Sequence, residues 1–132
     1  MPAKEFSGVF PYLVTPLDES GDLKDDVLRD LVNHLISTGV HGLTPLGSTG
    51  EGAYLDWPMK QRVVKVVVEA AAGRVPVIAG VNNMTTHGAV REAVETERIG
   101  VDGVLVVLPT YFPVCFCRGD GEGKMRGGGG EM

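Results

Sequence analysis

A parallel α/β array is the fold class that this chain of 132 residues predicts. Three observations carry it. Short apolar runs alternate with stretches whose apolar residues recur every three to four positions, the strand and helix signatures in turn. Gly or Pro punctuates nearly every junction. A short motif also recurs at the same structural phase: Gly39-Val40-His41-Gly42-Leu43 resembles Gly100-Val101-Asp102-Gly103-Val104. Both copies join a helix end to a strand start, which favours a regular βα repeat.

The first strand is Val9 to Thr15, an apolar run closed by Pro16. Asp25 or Asp26 opens the first helix, and Leu28, Leu31, Val32, Leu35 and Ile36 form one apolar face. Gly39 stands where a left-handed C-cap is expected. The second strand spans roughly Gly42 to Leu46. Asp56 then reads as an N-cap, with Pro58 in the first turn, where its missing N–H costs nothing, and Leu55 as a staple. Val63, Val64, Val67, Ala70 and Ala71 continue that helix to Gly73. Valine favours strands by propensity, but the length, cap and terminal glycine decide for helix. Val75 to Gly80 is the third strand. Thr85 or Thr86 starts a helix carrying Val90, Ala93 and Val94 and ending near Gly100. Gly103 to Leu108, apolar throughout, reads as a fourth strand covered on both faces.

One βα unit takes roughly 30 residues, so eight need about 240, the size of a (β/α)₈ barrel. About four strands and three helices make roughly half of one. Residues 1–114 are therefore expected to be the N-terminal half of such a barrel. Residues 115–132 hold seven glycines, both cysteines and no hydrophobic period. Such a segment cannot repay its ordering entropy and is expected to be a disordered Gly-rich tail. It begins where a fourth helix is due, which reads as a frameshift or a misplaced gene end, with a genuine flexible tail as the alternative. The open inner faces of four strands and two unpaired edges predict self-association.

The net charge of −5 argues against nucleic acid or an anionic membrane surface as partner. Lys65 and Glu69 interrupt the longest valine-rich stretch, so no membrane span is expected. The start of the chain lacks a signal-peptide apolar core. Cys115 and Cys117 are spaced wrongly for most metal knuckles, and no metal or cofactor is expected. The expected location is the cytoplasm.

Two short matches carry nothing. Gly119 to Met125 resembles a phosphate loop but lacks its first glycine, its hydroxyl after lysine and a preceding strand. Arg118-Gly119-Asp120 is a three-letter match in the tail. His34, His41 and His87 have no evident metal partners and read as structural or incidental.

Gly47-Ser48-Thr49-Gly50-Glu51 carries more weight. A tight turn explains the glycines but not two adjacent hydroxyls at the carboxyl end of a strand, where parallel α/β arrays place their sites. Free N–H groups and hydroxyls there make a cup for a carboxylate or phosphate. Tyr111, just past the fourth strand, lies at the same end. Its phenol either relays a proton or plugs the barrel mouth.

Four motifs occur in order: Val14-Thr15-Pro16, Gly47 to Glu51, Arg74-Val75-Pro76-Val77-Ile78-Ala79-Gly80 and Pro109-Thr110-Tyr111. Together, over residues 5–114, they resemble the dihydrodipicolinate synthase / N-acetylneuraminate lyase family. The resemblance implies a (β/α)₈ barrel, usually a homotetramer, acting as lyase or aldolase on pyruvate or a related 2-keto acid through a lysine Schiff base. It implies that Thr49, with Gly47, Gly50 and neighbouring N–H groups, binds the substrate carboxylate. It gives Ser48 and Tyr111 proton-relay roles, Ser48 standing where the family usually has threonine. It also implies that the Schiff-base lysine and a second tyrosine lie on later strands absent from this chain.

None of the lysines present substitutes by position. Lys4 lies at the wrong end, Lys24, Lys60 and Lys65 are expected on the outside of helices, and Lys124 is in the tail. Gly52, Trp57, Met84 and Thr110 lack the polar groups expected where regulated relatives bind lysine. The expected product is a truncated and inactive fragment of a lyase. The alternative is a non-catalytic half-barrel that pairs with itself or a full-length relative.

Overall fold

The computed structural model describes residues 5–107. The first helix, α1, spans Asp25–Ser37, and the second, α2, spans Trp57–Ala71. Strand β1 follows at Ile78–Val81, then helix α3 at Thr86–Ile99 and strand β2 at Gly103–Val106. A single 3₁₀ turn lies at Gly52–Tyr54.

Local chemistry sets the helix ends. Asp56 caps α2 by accepting the Met59 amide hydrogen at 3.0 Å, and Thr85 caps α3 by accepting that of Gly88 at 3.0 Å. Helix α2 ends at Ala71, two residues before Gly73, because Ala72 itself takes the left-handed conformation. Gly39 and Gly100 follow their helices with φ of +91° and +111°, as glycine allows.

β1 and β2 pair in parallel, with Ile78 opposite Gly103 and Val81 opposite Val106. The first two expected strands are reduced to isolated parallel bridges, Tyr12 with Thr44 and Leu43 with Val77. The neighbour order is the expected one, but only two of the four segments are regular strands. The reason lies in Pro11, Pro45 and Pro76. Their carbonyls accept from Thr44, Gly80 and Leu43 at 3.0, 2.9 and 3.0 Å. Each lacks the N–H that would continue the ladder.

Side chains alternate between faces along each segment. Leu13, Leu43, Val77 and Ala79 are buried, as are Leu28, Val32, Val63, Val64 and Val67 of α1 and α2, and together they form the core. The register places Val104 and Val106 on the same face as Ala79 and Val81, yet they are exposed. This corrects the expectation that the last strand is covered on both faces. Tyr12 and Val14, on the opposite face, are also about half exposed.

Lys60 requires a further correction. It is not on the outside but 4% exposed, paired with Glu92 at 3.4 Å. Lys24 and Lys65 are exposed as expected.

Candidate functional site

The segment from Leu46 to Gly52 leaves the sheet through a strained turn. Leu46 has φ of +61° and Glu51 has φ of +53°, conformations that cost a side-chain-bearing residue free energy and concentrate at sites where geometry is held for a purpose. The turn closes on itself through Glu51 N–H to the Ser48 carbonyl at 3.0 Å and Gly52 N–H to that of Gly47 at 3.3 Å.

Both ends of the turn are tied down. At one end, Asn82 Nδ2 donates to the Leu46 carbonyl at 2.7 Å. At the other, Thr15 Oγ1 donates to the Gly50 carbonyl at 2.7 Å. Two glycines permit the close packing. A Cβ on Gly50 would lie 2.7 Å from the Leu13 carbonyl, and one on Gly80 would collide with that of Leu46.

Donors remain in the span between. The N–H groups of Gly47, Ser48, Thr49 and Gly50 donate no hydrogen bond among the described residues, and neither do the hydroxyls of Ser48 and Thr49. Gly47 and Gly50 are buried, while Ser48 and Thr49 are exposed. Gly47, Ser48 and Thr49 line a cavity of about 550 Å³ together with Tyr12, Leu105, Val106 and Val107. The start of this turn and the end of β2 therefore share one mouth. The described backbone stops at Val107, so Tyr111 and its flanking motif lie outside the described residues, as do residues 115–132 with Cys115 and Cys117.

Clustered N–H and hydroxyl donors beside an apolar wall suit a small organic anion. Among the described residues, no group of three His, Cys, Asp or Glu side chains could hold a metal ion. No described helix is long and apolar enough to cross a membrane.

Sequence reasoning missed three residues here. Tyr12 could have been found, since strand alternation places it opposite buried Leu13. Lys60 stands three and four positions before Val63 and Val64, squarely on the buried stripe of α2. Asn82 left no signal beyond its position after a strand.

A model of the dihydrodipicolinate synthetase family matches residues 5–118. The chain belongs to that family. It is 44% identical over 108 residues to a 4-hydroxy-tetrahydrodipicolinate synthase of Methanospirillum hungatei JF-1, covering 80% of this chain and 37% of the relative. It is 45% identical over 107 residues to one of Bradyrhizobium diazoefficiens, covering 81% and 36%. The crystal structure of a dihydrodipicolinate synthase from Aquifex aeolicus superposes with a TM-score of 0.76 at 33% identity, covering 82% of this chain and 37% of that one. The chain thus spans little more than a third of the length of these family members.

Proposed function

We propose that the chain supplies the carboxylate-binding part of a Schiff-base lyase or aldolase of the dihydrodipicolinate synthetase family, acting on pyruvate or a related 2-keto acid. The observation that carries this reading is the cup of four uncommitted N–H groups and two hydroxyls at Gly47–Gly50. A carboxylate there would accept from the Thr49 hydroxyl and the adjacent amides, with Ser48 and Tyr111 as proton relays. Gly47 and Gly50 bring the backbone close to the anion.

The lysine that would condense with the ketone, releasing water, must face this cup desolvated and unpaired. Among the described lysines, Lys24 and Lys65 are exposed and Lys60 is held by Glu92 and the Asn82 carbonyl. None lines the cavity. None of the described lysines is placed to form a covalent adduct, so the chain is expected to bind the keto acid without one.

The test is a pyruvate titration followed by amide NMR, with borohydride trapping beside it. Saturable shifts confined to Gly47–Gly50 and no reduced adduct are expected. Absence of any shift, or a stoichiometric adduct at Lys60 or Lys65, would sink the reading.

A second reading, a non-catalytic half-barrel that pairs with another chain, is favoured by the half-exposed Tyr12 and Val14 on one sheet face and by Val104 and Val106 on the other. Light scattering at micromolar concentration tests it. A dimer or larger is expected, and a cooperatively melting monomer would count against it.

A further inference from the structure

The buried polar network behind the cup spans three elements. Lys60 Nζ, reaching inward from α2, donates to the Asn82 carbonyl at 2.9 Å. It also lies 3.4 and 3.5 Å from the two carboxylate oxygens of Glu92 on α3. Glu92 in turn accepts from Asn83 Nδ2 at 2.9 Å. The two side chains of the ion pair are 6% and 7% exposed.

A buried ion pair is seldom retained for stability, because desolvating both charges offsets most of their attraction and an apolar pair of similar volume does as well. What this pair does provide is geometry. It fixes residues 82 and 83 from two sides, from α2 through the Asn82 carbonyl and from α3 through the Asn83 amide. The fixed Asn82 then holds the Leu46 carbonyl at 2.7 Å. Asn82 is the sole hydrogen-bond donor to that carbonyl among the described residues. Leu46 sits in the left-handed region, immediately before Gly47. Without a fixed donor there, the strained peptide is free to relax and shift the Gly47–Gly50 amides that follow it.

We infer that Asn82, Lys60 and Glu92 are positioning residues for the anion cup: the ion pair fixes the loop after β1, and Asn82 transmits that position to the Leu46 peptide. The inference rests on the reading of Gly47–Gly50 as a carboxylate site, but its structural half stands apart from it. None of the three touches the anion in this scheme.

The experiment uses the full chain, ¹⁵N-labelled, as wild type, Asn82→Ala, Asn82→Asp and the double replacement Lys60→Met with Glu92→Leu. Amide shifts and pyruvate titrations are recorded for each. Asn82→Ala should leave the shifts of α1, α2 and α3 in place, move those of Gly47–Gly50 and weaken pyruvate binding about tenfold, the scale of one lost hydrogen bond of about 1.4 kcal/mol. Asn82→Asp keeps the shape but removes the donor, so it should do at least as much harm. The double replacement should fold and show the same displaced cup. Unmoved cup amides with pyruvate affinity within about twofold of wild type in Asn82→Ala would overturn the inference. So would loss of the whole fold in that variant, which would assign Asn82 to the core. If wild type shows no response to pyruvate, the carboxylate reading fails while the cup amide shifts still decide the positioning role.

Discussion

His41 and Asp102 occupy matching positions in the internal repeat and act alike on neighbouring backbone. His41 Nδ1 accepts the Val9 amide hydrogen at 2.9 Å, and His41 N–H donates to the Val9 carbonyl at 2.9 Å. Asp102 Oδ2 accepts the Val77 amide hydrogen at 2.9 Å, and Asp102 N–H donates to the Val77 carbonyl at 2.9 Å. Each residue thus grips the adjacent segment at both its N–H and its C=O. Replacing either by Ala should cost about 1 kcal/mol, the net worth of one such hydrogen bond. His41→Asp should retain most of the stability, since Asp already serves at the equivalent position. Urea unfolding of the three variants checks this, and a His41→Asp as weak as His41→Ala would contradict the equivalence.

Gly80→Ala would drive a methyl into the Leu46 carbonyl, a backbone atom that cannot swing aside. The expected loss is about 3 kcal/mol, the upper end for overpacking. Gly39→Ala meets nothing within 4 Å, and only its φ of +91° resists, so about 1 kcal/mol is expected. Thermal melts should rank them in that order, and equal losses would show that the backbone at Leu46 yields freely.

Lys60→Met alone strands the Glu92 carboxylate in the interior, at an expected cost of about 3–5 kcal/mol. Lys60→Met combined with Glu92→Leu should recover most of that stability, because the uncompensated charge is gone. Linear extrapolation from urea supplies both values. A double variant no better than the single one would mean that the pair contributes more than charge balance.

Asp18 sits in the turn between Leu17 and Leu23, where the Ser20 hydroxyl at 2.6 Å and then the Asp22 amide at 2.9 Å hold its carboxyl below the usual range. A depressed folded value means stability that is present above the ordinary aspartate range, about 3.9, and is lost as pH falls through the folded value. Carboxyl-carbon NMR should give a midpoint below about 3.9 for Asp18, and Asp18→Asn should remove that part of the acid dependence. A midpoint at or above the ordinary value would refute the turn's role.

The helices were legible because their signals are local. Asp56 and Thr85 cap them through their own side chains, and the Leu28–Val32 and Val63–Val67 stripes follow the helical period. The strands were legible in order and direction but not in regularity, since Pro11, Pro45 and Pro76 interrupt a ladder that forms between distant segments. The Ser48–Thr49 turn could be read from its composition. What ties it down could not, because the bonds from Thr15 and Asn82 span 35 and 36 residues. Lys60 was misplaced by the general rule that lysine stays outside, although the valine period of α2 already put it inside.

The donors gathered between Gly47 and Gly50 are mostly peptide groups rather than side chains. A conventional alanine scan would trim Ser48 and Thr49 and leave every one of those amides in place. Its result would understate the segment, and a tolerant score there would say little about its chemistry. Within the segment, only changes to the main chain itself would remove them, such as an ester substituted for one amide or a proline set where an N–H stood. The same property means that the share carried by the amides is indifferent to side-chain identity across this stretch, so long as the turn keeps its shape.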